Sequence, residues 1–210
     1  LLGVPAYNLK FEIAIHELEP GEEIERNGYR VLTTTPDHSV KELAYCILED
    51  ERPGKFYPEK AEKLGIEPGP KYSELQEGKS VETEEGRIVE PNQVMGPPRP
   101  GRKIVFTGDT RPSDRIIEMT KNADVLIHDA TFGNNLEEEA EVAGHSTAKQ
   151  SAEVAKKSNV DRLILTHVSP RYSNLQKLEK EAREIFPNTE FAEDFKEIEV
   201  KLKDEPEDNC

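Results

Sequence analysis

Apolar and polar positions alternate along three short runs in the first quarter of the chain: FEIAI, GYRVLTTT and LAYCILE. A period of two is typical of strands that bury one face. Asn27-Gly28, just before the second run, is a turn signal of the kind that joins antiparallel strands. We therefore predict a meander of antiparallel strands from Phe11 to about Glu49.

Strand-like and helix-like runs alternate from residue 102 to about residue 193. KIVFTGDT, DVLIHDATF and DRLILTHVS are typical of strands, and SDRIIEMTKNA and TAKQSAEVAKKS of helices. A last helix is predicted with one apolar face, followed by a closing strand near residues 196–202; the face consists of Leu175, Leu178, Ala182 and Ile185. This rhythm predicts an α/β fold.

The segment between these parts has a different composition. Eight of the fifteen prolines lie between residues 51 and 100, so we predict an inserted flexible arm. A short helix is expected over residues 59–64 and a hairpin over residues 80–89, and neither is expected to bury much. The predicted organisation is core strands over 1–50, arm and return hairpin over 51–100, core over 101–202 and an acidic tail over 203–210.

Charge and composition narrow the function classes. With 28 Lys and Arg against 43 Asp and Glu, the formal net charge is −15, which excludes a generally basic nucleic-acid coat. No apolar run is long enough to cross a membrane. The only cysteines are Cys46, in an apolar run expected in the core, and Cys210, so a disulfide framework is disfavoured and a cytoplasmic location expected. The first residue, Leu1, is compatible with a chain that begins in mid-protein.

Polar residues that can do chemistry follow the predicted strands. Asp109, His128-Asp129 and His167 lie at strand ends, where open α/β sheets gather their functional groups. His38, Asp109 and His167 together offer two imidazoles and one carboxylate, a donor set suited to zinc or manganese. The alternative is that Asp109 and Asp129 cap turns and that the histidines are ordinary loop residues. His16 is expected to be a surface or structural residue.

Five motifs, in this order, carry a family resemblance: TTTPDHSV, KIVFTGDTRPS, LIHDATF, GHSTAKQSAEVA and LILTHVSPRY. They resemble the second half of the tRNase Z family, nucleases of the metallo-β-lactamase fold, over about residues 10–190. LGIEPGPKYSELQEGKSV resembles that family's Gly/Pro-rich arm. The resemblance implies the second half of an αββα sandwich with an inserted arm. It also implies a zinc-dependent endoribonuclease that removes 3′ trailers from precursor tRNA, with two zinc ions (manganese as an alternative) and a homodimer in which one subunit's arm serves the tRNA bound by the other.

The resemblance also implies roles for single residues at the centre. His38 would bind the first metal, Asp109 would bridge both metals and His167 would bind the second. His145 would lie beside the scissile phosphate and protonate the leaving oxygen or steady the oxyanion. His128 would face the site without being a ligand.

Substrate contacts are expected in three places. Ser146 and Thr147 would attract phosphate at a helix start, cap that helix, or do both. Arg171 would bind a phosphate or form a salt bridge, and Tyr172 would stack on a base or pack. Six arm residues would grip the tRNA: Lys55, Lys60, Lys63, Gly69, Pro70 and Lys71. Because glutamates interleave with these lysines, a solvated charged loop is the alternative.

One family feature is missing. No HxH occurs in the sequence, whereas the family's HxHxDH loop supplies the remaining metal ligands and would lie upstream of Leu1. Three ligands spread over two metals are too few for catalytic zinc sites. We therefore expect either ligands from a preceding segment or another chain, or a catalytically silent protein. The competing functions are a phosphodiesterase or sulfatase for small esters and a non-catalytic RNA-binding or partner subunit. Half a sandwich is also expected to expose an apolar sheet face.

Overall fold

The computed structural model describes residue 11 and residues 14–203. The strands in this range are β1 (Glu23–Arg26), β2 (Tyr29–Thr34), β3 (Ala44–Glu49), β4 (Val81–Glu82), β5 (Ile88–Val89), β6 (Lys103–Phe106), β7 (Val125–Asp129), β8 (Arg162–Thr166) and β9 (Thr189–Phe191). The helices are α1 (Pro58–Lys63), α2 (Pro70–Gln76), α3 (Pro91–Val94), α4 (Asp114–Thr120), α5 (Glu137–Ala143), α6 (Ala148–Lys157) and α7 (Gln176–Arg183). A 3₁₀ turn, Asn134–Leu136, precedes α5.

A seven-stranded mixed sheet, in the order β1-β2-β3-β6-β7-β8-β9, forms the body. The strands from β1 to β6 pair antiparallel, and those from β6 to β9 pair parallel. The predicted meander and the α/β rhythm are therefore two halves of one sheet, joined at the pairing of β3 with β6. The predicted α/β class is confirmed.

The two faces of this sheet differ in burial. One face packs against α4, α6 and α7 and contains fully buried side chains such as Leu126 and Leu165. Cys46 belongs to this core, as predicted. On the other face the cross-strand neighbours Tyr45 and Phe106 are partly exposed. The apolar face expected of half a sandwich is thus present.

Two predicted strands are wrong. The described residues of FEIAI form no strand, and Ile15 is 83% exposed; residues 12 and 13 lie outside the described residues. Residues 196–202 also form no strand, and β9 closes the sheet instead. Ile198 and Val200 line a shallow pocket with Ile104 on the open sheet face. The alternating apolar residues of this segment therefore cover part of a face and do not extend the edge.

The arm contains the predicted helix α1 and the predicted hairpin β4–β5. The expectation that it would bury little is wrong. Together with α2 and α3, these elements enclose a second hydrophobic cluster, formed by Ala61, Ile66, Leu75, Val81, Val89 and Val94. The sequence pattern missed this cluster because its members come from five short elements and from the loop after α1, and none of these has a long apolar face of its own.

None of the helices in the described part of the chain is long and apolar enough to cross a lipid bilayer. Of the predicted acidic tail, residues 204–210 lie outside the described residues. The boundaries given above for the arm and the two core segments stay predictions.

Candidate metal centre

Two carboxylates and two imidazoles meet at the carboxyl ends of the parallel strands. Asp109 follows β6, Asp129 ends β7 and His167 follows β8, while His145 lies between α5 and α6. One potential ligand atom from each of these four side chains lies within 4.8 Å of the others. Carboxylate oxygens and imidazole nitrogens are the usual ligands of zinc in proteins without cysteine ligation. The donor set therefore fits a divalent metal ion.

Asp129 lies at the middle of this group of four and is fully buried. Its Oδ2 accepts hydrogen bonds from the backbone N–H of Thr110 (3.0 Å) and from His145 Nδ1 (2.8 Å). Its Oδ1 accepts from the backbone N–H and the hydroxyl of Thr131 (2.9 and 2.7 Å). A carboxylate has about four acceptor sites, and all four are occupied here. Asp129 is thus better suited to orienting His145 than to binding a metal directly.

His167 has a backbone φ of +59°, which is uncommon for a residue with a side chain. Its Nδ1 lies 2.7 Å from the Thr131 hydroxyl oxygen. Because that hydroxyl donates its single hydrogen to Asp129, the His167 Nδ1 must carry the proton in this contact. Its Nε2 then has a free lone pair, 3.4 Å from Asp109 Oδ2. These two atoms are therefore placed to share a metal ion.

His145 lies between the two other histidines of the centre. Its ring is stacked on that of His167 and tilted towards that of His38, with centroid separations of 5.0 Å in both cases. The His38 Nδ1 lies 2.8 Å from the Gly144 carbonyl oxygen, which can only accept a hydrogen bond. All three imidazoles therefore use Nδ1 as a donor, and none of their Nε2 atoms has a hydrogen bond to another described residue. This is the arrangement in which an outer partner orients a ligand ring. His38 is not among the four clustered residues, and its role as a ligand stays a prediction.

His128 is fully buried beside the centre, and burial lowers its pKa. It is therefore neutral near pH 7, and its Nδ1 donates to the backbone carbonyl of Asp129 at 2.9 Å. Its Nε2 is buried without a hydrogen-bond partner in the described residues. His128 therefore contacts Asp129 through the backbone carbonyl of that residue.

Ser146 and Thr147 directly precede α6, and both are fully buried. The Thr147 hydroxyl accepts from the backbone N–H of Gln150 at 3.1 Å and completes a capping box, so the capping interpretation is confirmed for this residue. The Ser146 hydroxyl donates to the Thr110 carbonyl at 2.6 Å and ties the helix start to the loop after Asp109. Phosphate binding by these residues stays a prediction.

Arg171 and Tyr172 differ in their surroundings. Arg171 is exposed, with its guanidinium carbon 5.0 Å from the centroid of the Phe132 ring, which is in turn 6.2 Å from the His145 ring. Tyr172 packs against the core, and its hydroxyl accepts from the Gly133 N–H at 2.8 Å. The packing alternative therefore holds for Tyr172, while Arg171 stays a candidate for phosphate binding.

The predicted arm residues fall into two places. Lys63, Gly69, Pro70 and Lys71 line one groove of about 540 Å³. Lys60 and Lys55 lie near the Tyr57 ring, with their Nζ atoms 4.0 and 5.9 Å from its centroid. The groove also contains Arg87 and several glutamates, so the arm presents both signs of charge.

Sequence reasoning missed two acidic residues at the centre. Asp129 was recognised as a strand-end residue and as a candidate turn cap, but the sequence offered no reason to include it among the site residues. Glu42 had no signal at all. Burial raises its pKa, its Oε1 is buried without a partner in the described residues, and its Oε2 would lie 3.1 Å from a Cβ at Gly108. Gly108 thus allows Glu42 to lie against the turn that precedes Asp109.

Comparisons with known proteins show the family of this chain. A profile of the β-lactamase superfamily domain matches residues 92–168. The curated ribonuclease Z of Archaeoglobus fulgidus is 49% identical over 91% of this chain and 63% of its own length, and that of Methanosarcina acetivorans is 44% identical over 95% and 65%. Ribonuclease Z of Myxococcus xanthus is 41% identical over 97% of this chain and 66% of its own length. The chain thus spans slightly less than two thirds of the relatives it matches.

Two solved structures show the same fold at low sequence identity. The metallo-β-lactamase fold protein YhfI from Bacillus subtilis matches with a TM-score of 0.54 and 18% identity, over 83% of this chain and 51% of that one. The short form of human tRNase Z matches with a TM-score of 0.52 and 22% identity, over 85% and 46%. The metallo-β-lactamase fold is therefore confirmed.

Proposed function

Because the chain belongs to the ribonuclease Z family of the metallo-β-lactamase superfamily, we propose that its protein is a metal-dependent endoribonuclease that removes 3′ trailers from precursor tRNA. The observation that supports this most is the group of Asp109, Asp129, His145 and His167 at the strand ends. A cytoplasmic location follows from this function as part of the proposal.

The metal ligands proposed on this chain are His38, Asp109 and His167, with Asp109 bridging two zinc ions, or manganese ions as an alternative. The free Nε2 atoms of His38 and His167 support this assignment. When bound, the ions supply a hydroxide at neutral pH and stabilise negative charge on the phosphate oxygens. Three donors are too few for two catalytic zinc sites, so the proposal requires further ligands from residues outside this sequence.

His145 is proposed as the proton donor to the leaving 3′ oxygen. Asp129 accepts its Nδ1–H, so the ring is held in one orientation and its positive charge is stabilised when both nitrogens are protonated. The Nε2–H then remains to protonate the leaving group. His145 is only 14% exposed, which limits exchange of that proton with bulk water.

The arm is proposed to bind the tRNA body, with the arm of one subunit of a homodimer serving the other. Residues 51–100 carry eight basic and ten acidic residues, so the arm is nearly neutral, whereas the rest of the chain holds most of the net charge of −15. Phosphates are therefore repelled less by the arm than by the body. The exposed Arg171, near the His145 ring through Phe132, is the proposed phosphate contact at the centre.

The test is a set of histidine and aspartate variants in the whole protein. We expect His167→Ala and Asp109→Ala to lower both bound zinc, measured by elemental mass spectrometry, and cleavage of a precursor tRNA with a 3′ trailer. His16→Ala is the matched control, because His16 is exposed and far along the chain from the centre. Unchanged zinc content in both site variants would contradict the ligand assignment.

A further inference from the structure

The backbone of Gly144 supports the ring of His38. Gly144 ends α5 with φ +86°, and its carbonyl oxygen accepts the His38 Nδ1–H at 2.8 Å. A Cβ at this position would lie 2.7 Å from His38 Nδ1 and 3.2 Å from its Cε1. The ring can therefore occupy its place only because residue 144 has no side chain.

Arg111 joins the same two segments from another side. Its backbone forms a bridge with Asp37, and its guanidinium donates to Asp37 Oδ1 at 3.2 Å. The Nε of the same side chain donates to the backbone carbonyl of Glu141, in the last turn of α5, at 2.6 Å. One guanidinium thus holds both the residue before His38 and the helix turn that carries Gly144.

We propose that Gly144 and Arg111 are positioning residues for His38. The Gly144 carbonyl fixes the proton of His38 on Nδ1 and leaves the Nε2 lone pair for a metal. Arg111 holds the turn that carries this carbonyl and the segment that carries His38 at a fixed separation. This inference rests on the proposed function, in which His38 is a metal ligand. Because His145 directly follows Gly144, the same turn sets the positions of both imidazoles.

The first test is the tautomer of His38 in the metal-free protein, read from side-chain ¹⁵N NMR signals that are assigned by their loss in His38→Gln. We expect the proton on Nδ1 in the wild type and a loss of this preference in Gly144→Ala. Gly28→Ala is the matched control, because Gly28 has φ +87° but nothing within 4 Å of a Cβ. Both substitutions carry the same backbone strain, and only one meets His38. A proton on Nε2 in the wild type, or an unchanged tautomer in Gly144→Ala, would overturn the proposal.

The second test measures zinc affinity in a double-mutant cycle. We expect Gly144→Ala to weaken zinc binding about 10- to 100-fold, Gly28→Ala to leave it unchanged, and Gly144→Ala to add no further loss in a His38→Ala background. Additive losses would show that the substitution acts by general destabilisation and would overturn the proposal.

If Gly144→Ala does not fold, Arg111→Gln replaces it in both tests, with Arg30→Gln as control, since Arg30 forms a surface ion pair with Glu23. The same pattern is expected, and additive zinc losses or an unchanged His38 tautomer would overturn the role of Arg111. If the tautomer results hold but His38→Ala leaves zinc affinity intact, the positioning of His38 stands and its assignment as a metal ligand fails.

Discussion

The body and the arm reach stability in different ways. The body stacks helices on one face of a seven-stranded sheet, and its buried cluster draws on long strands such as β3, β7 and β8. The arm encloses a cluster of only six buried apolar side chains between short helices and a two-stranded hairpin. Chemistry that needs groups fixed within a fraction of an ångström is thus placed on the larger core, whereas the arm presents a surface.

At the junction of the two regions, the two chain segments that connect the arm to the body are paired with each other and lie close together. Arg52 bridges to Arg99, and Phe56 to Met95. A Cβ on Gly54 would lie only 2.0 Å from the Gly96 carbonyl oxygen, so the two connecting segments approach each other as closely as glycine permits. An arm that has its own core and is attached through two paired segments is expected to keep its shape, which a long unstructured loop would not do.

The largest effect is expected in the body, from Asp129→Asn. The amide would place a donor among the four donors that now point at the carboxylate. We expect cleavage of both precursor tRNA and a small chromogenic phosphodiester to fall by about 10²- to 10⁴-fold. Asp194→Asn, at an exposed position, is the control. A loss confined to tRNA would contradict the role of Asp129 at the centre.

The next largest effect on cleavage is expected from removal of the arm, which tests the contributions of the two regions separately. Replacing residues 53–98 with Asn-Gly connects the bridged pair Arg52 and Arg99 through a two-residue hairpin turn. We expect about 100-fold slower cleavage of precursor tRNA and an unchanged rate with the small phosphodiester. Equal loss with both substrates would argue against a tRNA-specific arm, and no loss with either would favour a function on small esters.

A smaller effect is expected from the arm core. Leu75→Ala removes a fully buried side chain, and we expect it to cost about 2 kcal/mol in the stability of the arm. Hydrogen exchange should then show faster exchange in residues 58–94 and unchanged protection in β7 and β8. Ile88→Ala is the control, because Ile88 is 63% exposed. Loss of protection in both regions would mean that body and arm unfold as one unit.

The smallest effect concerns the junction and depends on pH. Hydrogen bonding from Arg102 lowers the pKa of Glu49, at the end of β3. The stabilisation is complete above the unfolded pKa of about 4.3 and is lost as the pH falls through the lowered folded value. We expect Glu49→Gln to reduce the free energy of unfolding by about 0.5 kcal/mol at pH 7.

Denaturant unfolding at pH 7 and at pH 3 measures this difference, which should shrink towards zero in acid. Glu23→Gln, which removes an exposed partner of Arg30, is the control for a surface pair away from the junction. A difference that is the same at both pH values would contradict the ion-pair explanation.

Local patterns of apolar and polar residues predicted the strands of the body well. Strands β2, β3, β6, β7 and β8 lie where alternation or apolar runs placed them, and α4 begins after the capping residue Ser113. The same patterns failed at residues 196–202, whose alternation fits a sheet edge and a covering segment equally well. They also failed for the arm core, whose members lie too far apart in the chain for any period to show.

The sequence by itself determined that Asp109, Asp129 and His167 lie at or just after the ends of strands, because strand ends follow from local periodicity. Only the tertiary structure decided that Asp129 holds His145, that His38, His145 and His167 each form a hydrogen bond through Nδ1, and that Gly144 supports His38. These relations join residues that are 16 to 106 positions apart. They depend on how the strands are ordered in the sheet, which is set by the burial of whole faces and not by any local run.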